Sequence, residues 1–328
     1  MSTMLVSVKK EICSGCATCI SVCPFDAIKR DHILAEVDID LEKCQLCGIC
    51  YTACPASAID ITYYDSKTLI EKLRSLKEKR ASDTLVLMCR GNSPSTCDVY
   101  KILKERGIET AEYIPLRLPC AGRVPVEVIL HALNLGIRKV ISIQCDDRYC
   151  RFKQGTKAST SRFALLNILL EQVGYDHDLI TVVKHSRKVI YNTEECVGCG
   201  KCVFICPFGA IEAKDLGTPK IDLDLCVGCG ACALVCPHGA IQLEGYELNN
   251  IITMISRLGE TAKKLKERGK APIILAFCCQ WSEFLSLDQP ENLLLKRNTF
   301  TIEIPCFKAL DPFYVIEALR MALTLSLR

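Results

Sequence analysis

Cys13-Ser-Gly-Cys16-Ala-Thr-Cys19-x3-Cys23-Pro24 is the stretch on which the reading of the whole chain turns. It returns as Cys44-Gln-Leu-Cys47-Gly-Ile-Cys50-x3-Cys54-Pro55, as Cys196-Val-Gly-Cys199-Gly-Lys-Cys202-x3-Cys206-Pro207 and as Cys226-Val-Gly-Cys229-Gly-Ala-Cys232-x3-Cys236-Pro237. A single C-x2-C would suit zinc, and scattered pairs would suit disulfides. Four copies of one four-cysteine spacing, each closed by proline, point to polynuclear iron–sulfur ligation. Gly15, Gly48, Gly198, Gly200, Gly228 and Gly230 lie between the cysteines, where the backbone must turn tightly and bring N–H groups towards sulfur. Ala27-Ile28, Ala58-Ile59, Ala210-Ile211 and Ala240-Ile241 follow the prolines and read as apolar lining and as the core of a very small domain. His238, beside the last proline, is either a cluster-tuning group or an ordinary residue of that small core.

These blocks resemble the dicluster ferredoxins of bacterial type over about residues 8–63 and 190–245. In that pattern three cysteines wrap one cube, and the fourth ligates the cube of the paired block. The expected sets are Cys13, Cys16, Cys19 and Cys54; Cys44, Cys47, Cys50 and Cys23; Cys196, Cys199, Cys202 and Cys236; and Cys226, Cys229, Cys232 and Cys206. Four 4Fe-4S clusters follow.

Length and composition set outer bounds. The 328 residues allow two or more domains. A net charge of +3 with 24% charged residues gives no basic stripe for nucleic acid or for an acidic membrane. No apolar run approaches the ~18 residues of a spanning helix. Met1–Lys10 has no signal-peptide core and no twin arginine. With 24 cysteines, these features predict a reducing, cytoplasmic and anaerobic setting.

Blocks one and three are offset by 183 residues, blocks two and four by 182, and the regularity continues beyond them. Each pair leads into an amphipathic helix. The first is capped by Ser66 and runs to about Arg80, with Leu69, Ile70, Leu73 and Leu76 on one face. The second carries Leu248, Ile251, Ile252, Ile255, Leu258, Ala262 and Leu265 and ends at Gly269. Apolar strands then stop at cysteine: Thr84–Cys89 matches Pro272–Cys279, and Tyr113–Cys120 matches Thr301–Cys306. A helix with Val126, Ile129, Leu130 and Leu133 matches one opened by Asp311-Pro312. Only the first half is expected to add a strand, Lys139–Cys145, and a helix from Ala158 to Val173. Polar Tyr175–Arg187 reads as a linker, with His177 and His185 on the surface.

The predicted class is therefore α+β and multidomain. Two dicluster modules alternate with two small parallel α/β domains, the second truncated, in an internal repeat of about 180 residues. The boundaries are 1–64, 65–180, 181–246 and 247–328. In parallel sheets ligands gather at the carboxyl ends of strands. Cys89, Cys120 and Cys145 stand at such ends, with Cys97 and Cys150 in loops beyond. The five are expected to converge, and four thiolates would hold a 2Fe-2S cluster.

Cys120-Ala-Gly-Arg123, the Ile129-Leu-x-Ala-Leu helix, Gly136, Cys145-x4-Cys150, Gly155 and Arg162 with its Leu-rich helix resemble the delta subunit of methyl-viologen-reducing hydrogenase over about residues 83–175. That family joins hydrogenase to heterodisulfide reductase and carries a 2Fe-2S cluster. The resemblance implies that the ligands are among Cys89, Cys97, Cys120, Cys145 and Cys150. The family opens with paired cysteines where this chain has Cys89 alone. In the second half Cys278-Cys279-Gln-Trp281 and Cys306 match in part, but Ser282, Lys308 and Ala309 break the pattern; the copy reads either as a cluster-free interface or as a site that a partner chain or the first half completes.

The resemblance implies an electron-transfer subunit in a hetero-oligomer. It would relay single electrons from a hydrogenase, formate dehydrogenase or ferredoxin to a heterodisulfide-reductase-like flavoprotein. No dinucleotide fingerprint, P-loop or nucleophile–base set is present, so no residue is assigned to catalysis. The alternatives are a thiol/disulfide reductase using Cys278-Cys279 and a redox sensor. Cys89 and Cys97 are otherwise ordinary buried thiols. Arg123 either binds a phosphate or flavin of a partner or pairs with a carboxylate on a neighbouring loop.

Overall fold

A computed structural model describes residues 6–31, 36–62, 64–90, 99–150, 152–187, 189–213, 217–269, 272–279, 298–321 and 323–327. The chain divides into two compact units, 1–186 and 187–328.

Unit 1 opens with small paired strands around short helices. β1 (Val6–Val8) pairs antiparallel with β4 (Ile59–Ile61), and β2 (Ile28–Arg30) with β3 (Val37–Ile39). Helices α1 (Thr18–Ser21) and α2 (Ile49–Ala53) follow the two cysteine loops. Each begins from a left-handed residue, Ala17 at φ 61° and Gly48 at φ 74°. For alanine this conformation costs roughly 1–2 kcal/mol, so the loop geometry is being enforced. Val6, Cys19, Ile28, Val37 and Ile59 form the core of this part.

The chain then enters α3 (Ser66–Lys79), whose cap is Asp65 rather than Ser66: its carboxylate accepts from the Thr68 N–H at 2.7 Å. Four parallel strands follow in the order β6-β5-β7-β8: β5 (Thr84–Cys89), β6 (Ile114–Leu118), β7 (Lys139–Gln144) and β8 (Ile180–Lys184). Alternate residues face opposite layers. Leu85 and Leu87 pack with α3, α5 (Val126–Asn134) and α6 (Gly155–Gln172); Val86 and Met88 pack with α4 (Val99–Glu105).

β8 corrects the expected linker. Val140–Gln144 pairs in register with Ile180–Lys184, so the α/β part runs past the expected end at 180. Its five residues are short and flanked by histidines, which masks the strand in the sequence. Helix α4 is likewise additional to the expected elements.

Unit 2 begins with β9 (Val189–Tyr191) and β12 (Ile241–Leu243), which pair, as do β10 (Ile211–Glu212) and β11 (Lys220–Ile221). Helices α7 (Lys201–Ile205) and α8 (Ala231–Val235) follow its cysteine loops. A three-stranded parallel sheet follows α9 (Leu248–Glu267): β13 (Ile274–Cys279) lies between β14 (Thr299–Ile304) and β15 (Thr324–Leu327). α10 (Pro312–Arg320) starts from Asp311, whose carboxylate accepts from Phe313 N–H at 2.8 Å. Ile255, Phe277, Ile302 and Ala318 are central to the core.

β15 corrects a second expectation. The third strand, expected in the first half only, is present here too: Ile274–Phe277 pairs parallel with Thr324–Leu327, as β5 pairs with β7. Cys279 lies opposite Ile304, as Cys89 lies opposite Leu118. Thr324-Leu-Ser-Leu carries no cysteine and is a weak strand signal beside its longer neighbours.

Candidate iron–sulfur centres

Block order and helix starts bring the predicted cysteines into rings. Cys23, Cys44, Cys47 and Cys50 line one void of about 380 Å³, open mouth included. Cys206, Cys226, Cys229 and Cys232 line another of about 370 Å³. Cys196, Cys199, Cys202 and Cys236 line a third of about 340 Å³. In each the fourth thiol comes from the partner block. The remaining set has the same exchange: Cys54 and Cys16 act on the Cys19 thiol, and Cys13 packs in the same core.

Burial is the largest influence on the Cys19, Cys44, Cys47, Cys50, Cys202, Cys226 and Cys232 thiols and pushes each up. It pushes Cys47 up to about 11 and, with its neighbouring thiols, Cys50 and Cys232 up to about 12. Ligation must therefore expel protons. Thiols ringing a void suit a polynuclear cube, whose atoms would fill the space between them. Cys16 and Cys199 are exposed; Cys47 is buried.

Four further thiols gather at the carboxyl edge of the larger sheet. The Cys145 and Cys89 sulfurs are 3.6 Å apart, although 56 residues separate them in sequence. Two thiolates on one tetrahedral metal at about 2.3 Å each would stand roughly 3.7 Å apart. Cys120 is held far above the ordinary thiol range, chiefly by its hydrogen bond with Cys89, then by burial, with Cys150 contributing. The Gly122 N–H donates to the Cys120 sulfur at 3.4 Å. Cys89, Cys120, Cys145 and Cys150 therefore form one group. Cys97 lies outside the described residues, as do Gln280, Trp281 and Ser282.

The thiol edge is fused to the cysteine loops below it. Cys47 and Cys120 share one buried cluster with Ile49 and Phe152. Phe152 meets Phe25 edge-on at 6.3 Å, and Lys153 stands 5.6 Å above the Phe25 ring. The Thr52 hydroxyl donates to the Gly122 carbonyl at 2.8 Å and accepts from the Arg162 guanidinium at 2.7 Å. Arg162 also donates to the Gly122 and Val124 carbonyls.

Arg123 is held within unit 1 by backbone carbonyls and an aromatic ring. It is 1% exposed, donates to the Leu46 carbonyl at 3.3 Å and the Thr62 carbonyl at 3.1 Å, and stacks on the Tyr64 ring at 5.5 Å. It clamps the cysteine module to the sheet. Thr52, Tyr64 and Phe152 take part in this junction, and sequence reasoning misses them. Only Tyr64 carries a signal, because Tyr246 recurs 182 residues later.

In unit 2 Cys278 and Cys279 are buried, and the Cys279 thiol points to the Pro305 carbonyl at 3.9 Å, as Cys89 points to Pro119 at 4.0 Å. Cys306 opens the turn before α10 and is partly exposed. His238 lines the void of the third ring. His177 is exposed, but His185 is half-buried, with its backbone N–H bonded to the Gln144 carbonyl.

Comparison with known proteins agrees with this geometry. Residues 12–59 and 195–240 each match a family model described as a 4Fe-4S dicluster domain. Residues 84–197 match the model of the methyl-viologen-reducing hydrogenase delta subunit. An iron-sulfur subunit of the F420-non-reducing hydrogenase of Archaeoglobus profundus is 37% identical over 65 residues, 20% of this chain and 47% of that relative. The match thus spans about half the relative's length.

Proposed function

The chain joins two 4Fe-4S dicluster domains to a domain of the methyl-viologen-reducing hydrogenase delta-subunit family, and from that premise we propose that it is the electron-relay subunit of a hydrogenase-type complex. The four rings of cysteines are its 4Fe-4S ligands in the crossed sets given above. Cys89, Cys120, Cys145 and Cys150 hold a 2Fe-2S cluster. Modules 1–64 and 187–246 alternate with α/β domains in a repeat, the first α/β domain reaching residue 186. When bound, each cluster takes up and gives back one electron.

The residues supply the route. Cys16 presents the first ring at the surface of unit 1. Cys47 brings the second ring against Cys120, with Ile49 and Phe152 excluding water between them. This shared burial carries the proposal: it joins a ferredoxin centre to the delta-type thiol edge within one packed cluster of side chains. The backbone N–H of Gly122 stabilises the thiolate form of Cys120. The partners would be a hydrogenase or formate dehydrogenase on one side and a heterodisulfide-reductase-like flavoprotein on the other, in the cytoplasm. No helix of the described residues is long and apolar enough to cross a membrane.

The test is electron delivery. The anaerobically reduced chain, mixed with a heterodisulfide-reductase-like flavoprotein, is expected to bleach the flavin at the rate its own clusters reoxidise. Intact clusters that pass no electrons to such flavoproteins would defeat the proposal.

A further inference from the structure

Both units place a buried arginine on the tyrosine that follows the second cysteine block, but they draw it from different parts of the chain. In unit 1 it is Arg123, from the turn after β6, 5.5 Å from the centre of Tyr64. In unit 2 it is Arg187, from the segment before β9, 5.3 Å from the centre of Tyr246. Tyr64 and Tyr246 are equivalent: each directly precedes the cap of the following helix, at Asp65 and Glu247.

The turn after β14 cannot supply the unit 2 arginine, because Ala309 stands where Arg123 would. A Cβ on Gly48 would come within 2.6 Å of the Arg123 Cγ, and a Cβ on the equivalent Gly230 within 2.8 Å of the Ala309 Cβ. The arginine is lost from one segment and regained from another, at the same tyrosine. Packing alone does not require this, since an apolar side chain would cover a tyrosine ring. A buried cation is costly unless its charge is used.

Both arginines stand beside the inner cysteine loop. Arg123 donates to the carbonyl of Leu46, between Cys44 and Cys47, and its stem fills the space beside Gly48 of the same loop. Arg187 lies over Tyr246, which lines one cavity with Gly230, the equivalent of Gly48. Arg123 and Arg187 are 1% and 6% exposed, so solvent screens them weakly.

We propose that Arg123 and Arg187 set the reduction potentials of the two inner 4Fe-4S clusters, holding each higher than it would stand without the cation. A cation beside a cluster favours its more negative, reduced state. This rests on the proposed occupancy of the rings, so occupancy is measured first.

Iron and sulfide are counted on the full chain, and the 4Fe-4S steps are titrated by low-temperature electron paramagnetic resonance. Wild-type protein without cubane signals would defeat the proposed function itself. With the clusters present, Arg123→Gln is expected to make one step about tenfold less favourable, a shift of about 59 mV to lower potential for one electron. Arg187→Gln is expected to move a different step by a similar amount, and Arg123→Lys to restore most of the first shift. If Arg123→Gln loses iron, Arg187→Gln decides alone. Full iron content with no step moved, or the same step moved by both variants, overturns the proposal.

Discussion

A Cβ placed on Gly155 would fall on the sulfur of Cys120 and lie 3.5 Å from that of Cys150. The first residue of α6 is thus the floor of the thiol edge, and glycine is required there for space rather than for backbone freedom. Gly155→Ala is expected to push Cys120 out of the group and remove about two irons per chain, leaving the 4Fe-4S signals intact. Iron analysis with spectra of the reduced protein checks this.

The proposed crossed ligand sets make an unusual demand on point variants. Cys54→Ser should damage the cluster of the first block, and Cys23→Ser that of the second, each at a cost of about four irons. Spectra of the two variants, compared with those of Cys16→Ser and Cys47→Ser, show which belong together. Cys54→Ser pairing with Cys47→Ser would mean that each block closes its own cluster.

Gly48 combines two constraints. Its φ of 74° is left-handed, and the Arg123 stem fills the space a side chain would need. Gly48→Ala is expected to destabilise unit 1 by about 2–4 kcal/mol, from backbone strain and from overpacking. Thermal unfolding followed by circular dichroism measures it. Gly136→Ala, at a comparable φ of 79° but with open space around it, gives the backbone part alone.

In unit 2 the close approach is between α9 and the turn after α10. A Cβ on Gly259 would come within 2.6 Å of the Met321 Cβ. Gly259→Ala is expected to cost about 1–3 kcal/mol. A smaller cost for Gly259→Ala when Met321→Gly, which removes that Cβ, is made in the same chain would identify the contact as the cause.

The cysteine spacing makes the small domains and their paired sites legible, because ligation dictates residue type and interval together. The convergence of Cys89, Cys120 and Cys145 is also readable, since strand carboxyl ends in a parallel sheet share an edge. Arg123 is not readable. Its partners, the carbonyls of Leu46 and Thr62, are 77 and 61 residues away and are backbone groups that leave no mark in a sequence. β8 and β15 escape for a different reason. Both are edge strands paired on one side, and Ile180-Thr-Val-Val-Lys and Thr324-Leu-Ser-Leu are short enough to pass for loop and chain end.

The central claim is that a delta-type thiol edge holds a cluster beside a ferredoxin centre. Its most direct measurement is iron, sulfide and low-temperature paramagnetic resonance on the full chain, prepared without oxygen, against the double variant Cys89→Ser with Cys145→Ser. The wild type is expected to hold about 18 irons and to show a 2Fe-2S signal on reduction, and the variant to lose that signal with about two irons. A wild type with only cubane signals and iron unchanged by the variant would contradict it.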